Sequence, residues 1–354
     1  MLENLPPVHP TVVEKFARRP ESGEICFYPI GFDLKLIEAF RTLLVPRHGA
    51  AIVANFTQEC IPVFSVMPPD RSPYSIEELY CEMQPQISIF FDLHDPGIDR
   101  IYITEAIWRS LVRSGNKVIY IKLQSSTPAH YEHFNALPSQ VIILSCPLLL
   151  GGSHFHITWQ DDYDGEYLFR SVFRDNPTPN YEYDWCWIGS NTANRAIKVD
   201  ALRQYNQRPH IIKEAPGGHI TATTATTPYH DYIRIAMQSK INISLNGIGP
   251  WCLKDGEMFA HDCFVLREDH LALELNPLSP KNGYHWIVSP YNCMPEVIEC
   301  LLEHDQERET IRSRGHDYFR EVIHSDLFSN TYLTCLREYI GCGSRQAWQR
   351  LAFG

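Results

Sequence analysis

Short, almost unbroken apolar runs recur along the first 150 residues, each followed by polar or helix-forming sequence. Gln86 to Leu93 reads QISIFFDL, Lys117 to Leu123 reads KVIYIKL, and Gln140 to Cys146 reads QVIILSC. A strand with one face in water alternates apolar and polar residues. Runs like these belong to strands covered on both faces, the situation of a parallel sheet sandwiched by helices. Glu24 to Ile30 (EICFYPI) and Ala50 to Phe56 (AAIVANF) are two more strand candidates. Leu34 to Leu44, Ser75 to Met83 and Glu105 to Arg113 fall between them and read as helices.

Five strands joined by helices or loops predict a Rossmann-like domain over residues 1–150. Residues 151–183 differ: they are rich in Asp, Tyr, Pro, Asn and Gly without a sustained period, and read as an interdomain connection. Alternation resumes at Asp184. DWCWI (184–188) is a strand, followed by a Gly189-Ser190-Asn191 turn and a helix from about Arg195 to Tyr205. His210 to Lys213, Ile241 to Leu245, Cys263 to Leu266 and His285 to Val288 are further strands. Helices are expected at Pro295–His304, Gln306–Ile323 and Asn330–Tyr339. Residues 184–354 thus form a second Rossmann-like domain with C-terminal helices. Ligands of open α/β sheets bind beyond the strand C-termini, so the expected site is a cleft between two facing domains.

Composition narrows the partners. A formal net charge of −11 argues against a broad grip on nucleic acid. Eleven cysteines without a CxxC pair, and no positive-then-apolar leader, read as reduced thiols in a cytoplasmic protein. No apolar run is long enough to predict a membrane span, while contact with a membrane surface stays compatible with the sequence. The oligomeric state is left open. No GxGxxG, Walker, GxSxG or HExxH motif is present, which weakens dehydrogenase, NTPase, esterase and zinc-protease readings. Asp161, Asp162 and Asp164 include an Asp-x-Asp in the connection, read as a solvated loop. His154-x-His156 lacks further ligands at metal spacing.

The stretch from Tyr229 to Leu266 carries the most chemistry. A helix leads into a strand, then Asn246-Gly247-Ile248-Gly249-Pro250 breaks it, and Lys254-Asp255-Gly256-Glu257 opens a short helix. A glycine loop running from a strand end into a helix N-terminus favours anions. Lys254 can neutralise a diphosphate, and the Glu257 carboxylate can accept hydrogen bonds from sugar hydroxyls. Together they suggest a nucleotide-sugar site. Asn246, Gly247, Gly249 and Asp255 join the donor-binding set, and Trp251 is either a stacking surface or a core anchor. Gly189, Ser190 and Arg195, after the first strand of the second domain, are further phosphate candidates. Asp92 and His94, in FFDLHDPG, are candidate bases at a strand end of the first domain, beside Asp95; Asp33 is a weaker rival.

Several of these segments, in order, resemble the C-terminal domain of GT-B glycosyltransferases, with exostosin-like and group-1 (CgeB-like) domains as the nearest echoes. The shared features are Asp184-Trp185-Cys186-Trp187-Ile188-Gly189-Ser190, then Ser239-Lys240-Ile241, then Lys254 to Glu257 with Ala260 and Cys263 to Leu266. Leu302, Asp305, Glu307-Arg308, Ile311 and Gly315 follow. Two positions depart: lysine stands for the usual helix arginine, and Ala260-His261-Asp262 lacks the usual glycine. The resemblance covers about half the chain. It implies a GT-B fold and transfer of a sugar from a nucleotide-sugar donor to the hydroxyl of a carbohydrate or glycoconjugate acceptor, by a hexosyl- or pentosyltransferase of glycan biosynthesis. No cofactor is required on this reading, and no metal is expected. Retention or inversion stays open. Two alternatives are a GT-B-like nucleotide-sugar or glycan-binding protein without turnover, and a sugar-nucleotide epimerase on the same scaffold.

Overall fold

The computed structural model describes residues 10–32, 37, 40–41, 44–46, 48–66, 75–83, 85–92, 117–122, 141–145, 180–190, 193–205, 207–215, 227, 229–246, 253–269, 280–324 and 327–342. The chain divides into two compact units. Each is built on an all-parallel sheet, as expected for two Rossmann-like α/β domains.

The first sheet has six strands: β1 (Ile25–Ile30), β2 (Ala50–Ile52), β3 (Ile61–Val66), β4 (Ile87–Asp92), β5 (Lys117–Lys122) and β6 (Val141–Ser145), in the order β2-β1-β3-β4-β5-β6. Helices α1 (Pro10–Phe16) and α2 (Ile76–Met83) belong to this unit. Phe27, Val63, Phe64, Ile89, Phe90 and Phe91 are fully enclosed. Phe64 stacks on Phe90 at 5.1 Å, and Phe27 meets Phe40 edge-on at 5.1 Å. Each such side chain contributes about 1.5–3 kcal/mol by leaving water.

Strand β3 is absent from the sequence expectation, although it lies inside the sheet. Its sequence, IPVFSV, contains Pro62, which registers with Tyr28 of β1. Proline removes a ladder donor and argues against an interior strand, yet the apolar burial of Val63 and Phe64 prevails here.

The second sheet comprises β7 (Tyr183–Ser190), β8 (His210–Ala215), β9 (Ser239–Ser244), β10 (Val265–Glu268) and β11 (Ile287–Ser289), in the order β11-β10-β9-β7-β8. Its helices are α3 (Ala193–Gln204), α4 (Tyr229–Met237), α5 (Leu253–Ala260), α6 (Met294–Glu303) and α7 (Asp305–Tyr318), the last running into a wider turn at Phe319–His324. Trp185, Trp187, Ile241, Ile243, Phe264, Leu266, Met294 and Ile298 form one core. Gly189 and Ser190 continue β7 instead of forming the expected turn.

The terminal helix α8 (Leu327–Cys342), expected with the second domain, packs on the first unit. Lys117, at the start of β5, donates from Nζ to the carbonyls of Tyr339 (3.2 Å) and Ile340 (3.0 Å). A lysine there satisfies helix-end carbonyls and complements the dipole. Among the described residues, no helix is long and apolar enough to cross a membrane.

Candidate functional site

In the second sheet the chain passes from β7 to β8 on one side, then returns to place β9 on the other side of β7. The order therefore reverses between β7 and β9, the kind of position where open α/β sheets hold ligands. The register between these strands runs from Tyr183–Ser239 to Cys186–Asn242, while β7 continues to Ser190 and β9 to Ser244. Carbonyls beyond that point need other partners.

Two predicted cations supply them. Lys254, in the first turn of α5, donates from Nζ to Ile243 O (2.7 Å) and Ile188 O (3.4 Å). Arg195 on α3 lies further out. Its Nε donates to Asn246 O (3.1 Å), Nη2 to Leu245 O (3.1 Å), and Nη1 to Ser190 O (3.3 Å) and Ser190 Oγ (3.4 Å). Four predicted site residues, Ser190, Arg195, Asn246 and Lys254, thus meet at the reversal of strand order.

Asn246 is the junction of a buried polar network. Its backbone N–H donates to Glu268 Oε2 (2.8 Å), its Nδ2 to Asp269 O (3.0 Å), and its Oδ1 accepts from Arg267 Nη2 (3.0 Å). Glu268 pairs with Lys198 of α3 at 2.7 Å. Arg267, wholly enclosed, lies 3.5 Å from the equally enclosed carboxylate of Asp255 and 5.4 Å from the Trp286 ring. Strand end, loop start and helix α5 are therefore held by charged groups whose burial costs free energy unless they are mutually satisfied.

Asp255 and Glu257 were expected to face a ligand. The structure places both in the interior of this conformation. Asp255 lies beside Arg267, and Glu257, 2% exposed, accepts a 2.9 Å hydrogen bond at Oε2 from the Tyr232 hydroxyl of α4. Gly189 also has a packing reason. A Cβ there would come 3.1 Å from Cζ2 of Trp187, the residue two before it on the same face of β7. Asp92 closes β4 at the C-terminal edge of the first sheet, in register with Lys122 and Val66. His94, Gly247, Gly249 and Trp251 lie outside the described residues, as do Asp33, Asp95, His154, His156 and the Asp161–Asp164 cluster.

The missing glycine after Ala260 is explained by the end of α5. Cys263 N–H bonds to Met258 O (2.8 Å) and Asp262 N–H to Phe259 O (3.2 Å), the paired bonds of a Schellman cap. Asp262 occupies the left-handed position at φ 55°, where glycine is usual and aspartate is tolerated. Its carboxylate forms an ion pair with Arg312 of α7, and Arg312 Nη1 also donates to Asp262 O at 3.2 Å. Burial pushes the Asp262 carboxyl above its ordinary range against the pull of Arg312.

Sequence reasoning missed Tyr232, Lys198, Arg267 and Glu268. The last two close the strand VLRE, and a charge pair at the end of an apolar run was a usable signal. Tyr232 reads as one more apolar helix position, and nothing local reveals its hydroxyl's partner.

No known protein family and no curated protein sequence matches the chain. Among solved structures, a glycosyltransferase from Rickettsia africae aligns with 90% of this chain and 99% of its own, at 8% identity and a TM-score of 0.47. HepE of Anabaena in complex with UDP-glucose aligns over 90% and 99%, at 10% identity and a TM-score of 0.43. Sucrose-phosphate synthase from Thermosynechococcus elongatus aligns over 91% and 100%, at 10% identity and a TM-score of 0.45.

Proposed function

We propose that the chain is a GT-B-type glycosyltransferase whose second unit binds a nucleotide-sugar donor. The observation that carries this reading is the convergence of Arg195 and Lys254 at the β7/β9 reversal. These side chains would bear the diphosphate and stabilise the negative charge that grows as the sugar leaves, the term that usually dominates such catalysis. Because side-chain cations would supply that charge, the proposed transfer needs no divalent metal, and a chelator should leave the rate unchanged. Glu257, held by the Tyr232 hydroxyl, would be the carboxylate of the donor site that accepts from donor hydroxyls. The acceptor, a carbohydrate or glycoconjugate hydroxyl, would meet the first unit, with Asp92 or His94 as base.

A panel of UDP-, GDP-, TDP- and CMP-sugars tests the reading. One nucleotide family should raise the melting temperature and be slowly hydrolysed, and Arg195→Ala should weaken it at least about tenfold, which is ~1.4 kcal/mol. A melting temperature unmoved by every nucleotide would reject the reading. The enclosure of Asp255 and Glu257 favours a second reading, a nucleotide-sugar-binding protein without turnover. Stabilisation with neither hydrolysis nor transfer would select it.

A further inference from the structure

Two cysteines, 34 residues apart in sequence, lie side by side at the first sheet, in the compact unit that does not carry the proposed donor site. Phe27 of β1 registers with Ile61, the first residue of β3, so Cys26 of β1 and Cys60, the residue just before β3, lie side by side. Register partners in a parallel pair point to the same face, on strands about 4.8 Å apart. A disulfide bridges Cα separations of about 4.4–6.8 Å. Both thiols are free, Cys26 partly exposed and Cys60 buried, and Cys60 Sγ lies 3.1 Å from Thr57 Oγ1. Burial raises the Cys26 thiol above its ordinary range, and the adjacent Cys60 sulfur pushes it the same way. A thiol so held stays mostly protonated, and the pair mostly reduced, until an oxidant meets the minor thiolate.

We propose that Cys26 and Cys60 are a dithiol modification site that small-molecule disulfides of the glutathione class convert to an intrachain disulfide. The difference in exposure orders the steps. Cys26, the reachable thiol, loses its proton to solvent and attacks one sulfur of the oxidised ligand. A Cys26–ligand disulfide forms and one ligand thiolate leaves. Cys60, losing its proton in turn, attacks the Cys26 sulfur, forms the Cys26–Cys60 bond and expels the second ligand thiolate. The two protein thiols are oxidised, and one ligand disulfide is reduced to two thiols.

The test treats the intact native protein with oxidised glutathione in mildly alkaline buffer and maps tryptic peptides without reduction. Lys35, Arg41 and Arg47 separate the two cysteines, so each lies on its own peptide. The expected product joins those peptides at two hydrogens below their summed mass and separates on reduction. Cys60→Ser should trap glutathione on Cys26, with the adduct lasting at least about tenfold longer than in the parent protein. Cys26→Ser should leave Cys60 unmodified. Because either variant could unfold, the parent protein is also oxidised in strong urea, where the preference for this pairing should vanish. A Cys26 adduct that persists in the native parent, no reaction at Cys26, or pairing of either cysteine only with others would overturn the proposal.

Discussion

The second unit holds two clusters of charged side chains, and they are wired differently. Between α5 and α7, cations meet carboxylates. Arg312 pairs with Asp262 and, at 2.7 Å, with Glu309; Arg308 bonds to Asp305 at 2.5 Å and to Leu301 O at 3.0 Å. At the β7/β9 reversal, Arg195 and Lys254 bond to backbone carbonyls beyond the paired part of the two strands. A cation satisfied by a carboxylate is neutralised and serves as a fastener. A bond to a carbonyl leaves a cation's charge in place, and that charge can attract an anion. The contrast separates a stability element from a candidate site within one fold.

Arg312→Ala gives the largest expected effect. Removing it leaves the enclosed Asp262 carboxylate without its ion-pair partner, while Glu309 keeps Tyr181 (2.9 Å) and Arg308 (3.3 Å), and breaking such a buried pair costs about 3 kcal/mol. Urea unfolding should show that loss, while donor affinity per folded molecule stays within about twofold. A donor affinity that falls in step with stability would erase the distinction between the clusters.

Gly315→Ala comes next. An added Cβ on α7 would lie 2.7 Å from both the His285 carbonyl oxygen and the Phe259 ring. The backbone oxygen cannot step aside cheaply, so about 1–3 kcal/mol should be lost. The sequence showed this glycine only as part of a resemblance; the structure supplies its reason, the close passage of α7 over the 283–286 turn.

Lys254→Met sharpens the contrast from the other side. Lost carbonyl bonds should cost about 1 kcal/mol of stability, but donor affinity should drop at least about tenfold by titration calorimetry. Equal, small changes in both would reduce Lys254 to a strand-end cap.

These residues also show what a sequence can disclose. QISIFFDL announced a two-sided parallel sheet because burial on both faces is a local property of composition. Lys254 and Arg195 were legible as phosphate candidates because a strand end, a break and a helix start are local too. The Asp255–Arg267 pair, the Asn246 junction and the Tyr232–Glu257 bond span separations that no periodicity encodes. The return of α8 to the first unit depends on Lys117 and on Arg337, which donates to Gly49 O at 2.8 Å; only the fold brings those partners together. Strand β3, absent from the sequence reading, is held despite Pro62 by the core around Val63 and Phe64, which only the fold assembles.

The last effect lies in pH. His285 accepts a 2.8 Å hydrogen bond at Nδ1 from the Lys281 N–H, which fixes a neutral ring. Burial, with Lys281 and Arg314 nearby, lowers its pKa to about 4. The unfolded chain protonates this histidine near its ordinary value of about 6.5. Between those values the unfolded state binds more protons, so stability falls as pH drops from about 6.5 to about 4 and levels off below. Glu24 of the first unit, held at about 2 chiefly by Arg18, acts in a lower window: its contribution is complete above its ordinary carboxylate value and is lost as pH falls toward 2. His285→Asn keeps an acceptor for Lys281 and removes the titration. Its unfolding midpoint in urea should change less than the parent's between pH 7 and pH 5, while the acid loss below pH 4 stays. A parent and variant that lose stability equally across pH 7 to 5 would place that titration in some other group of the chain.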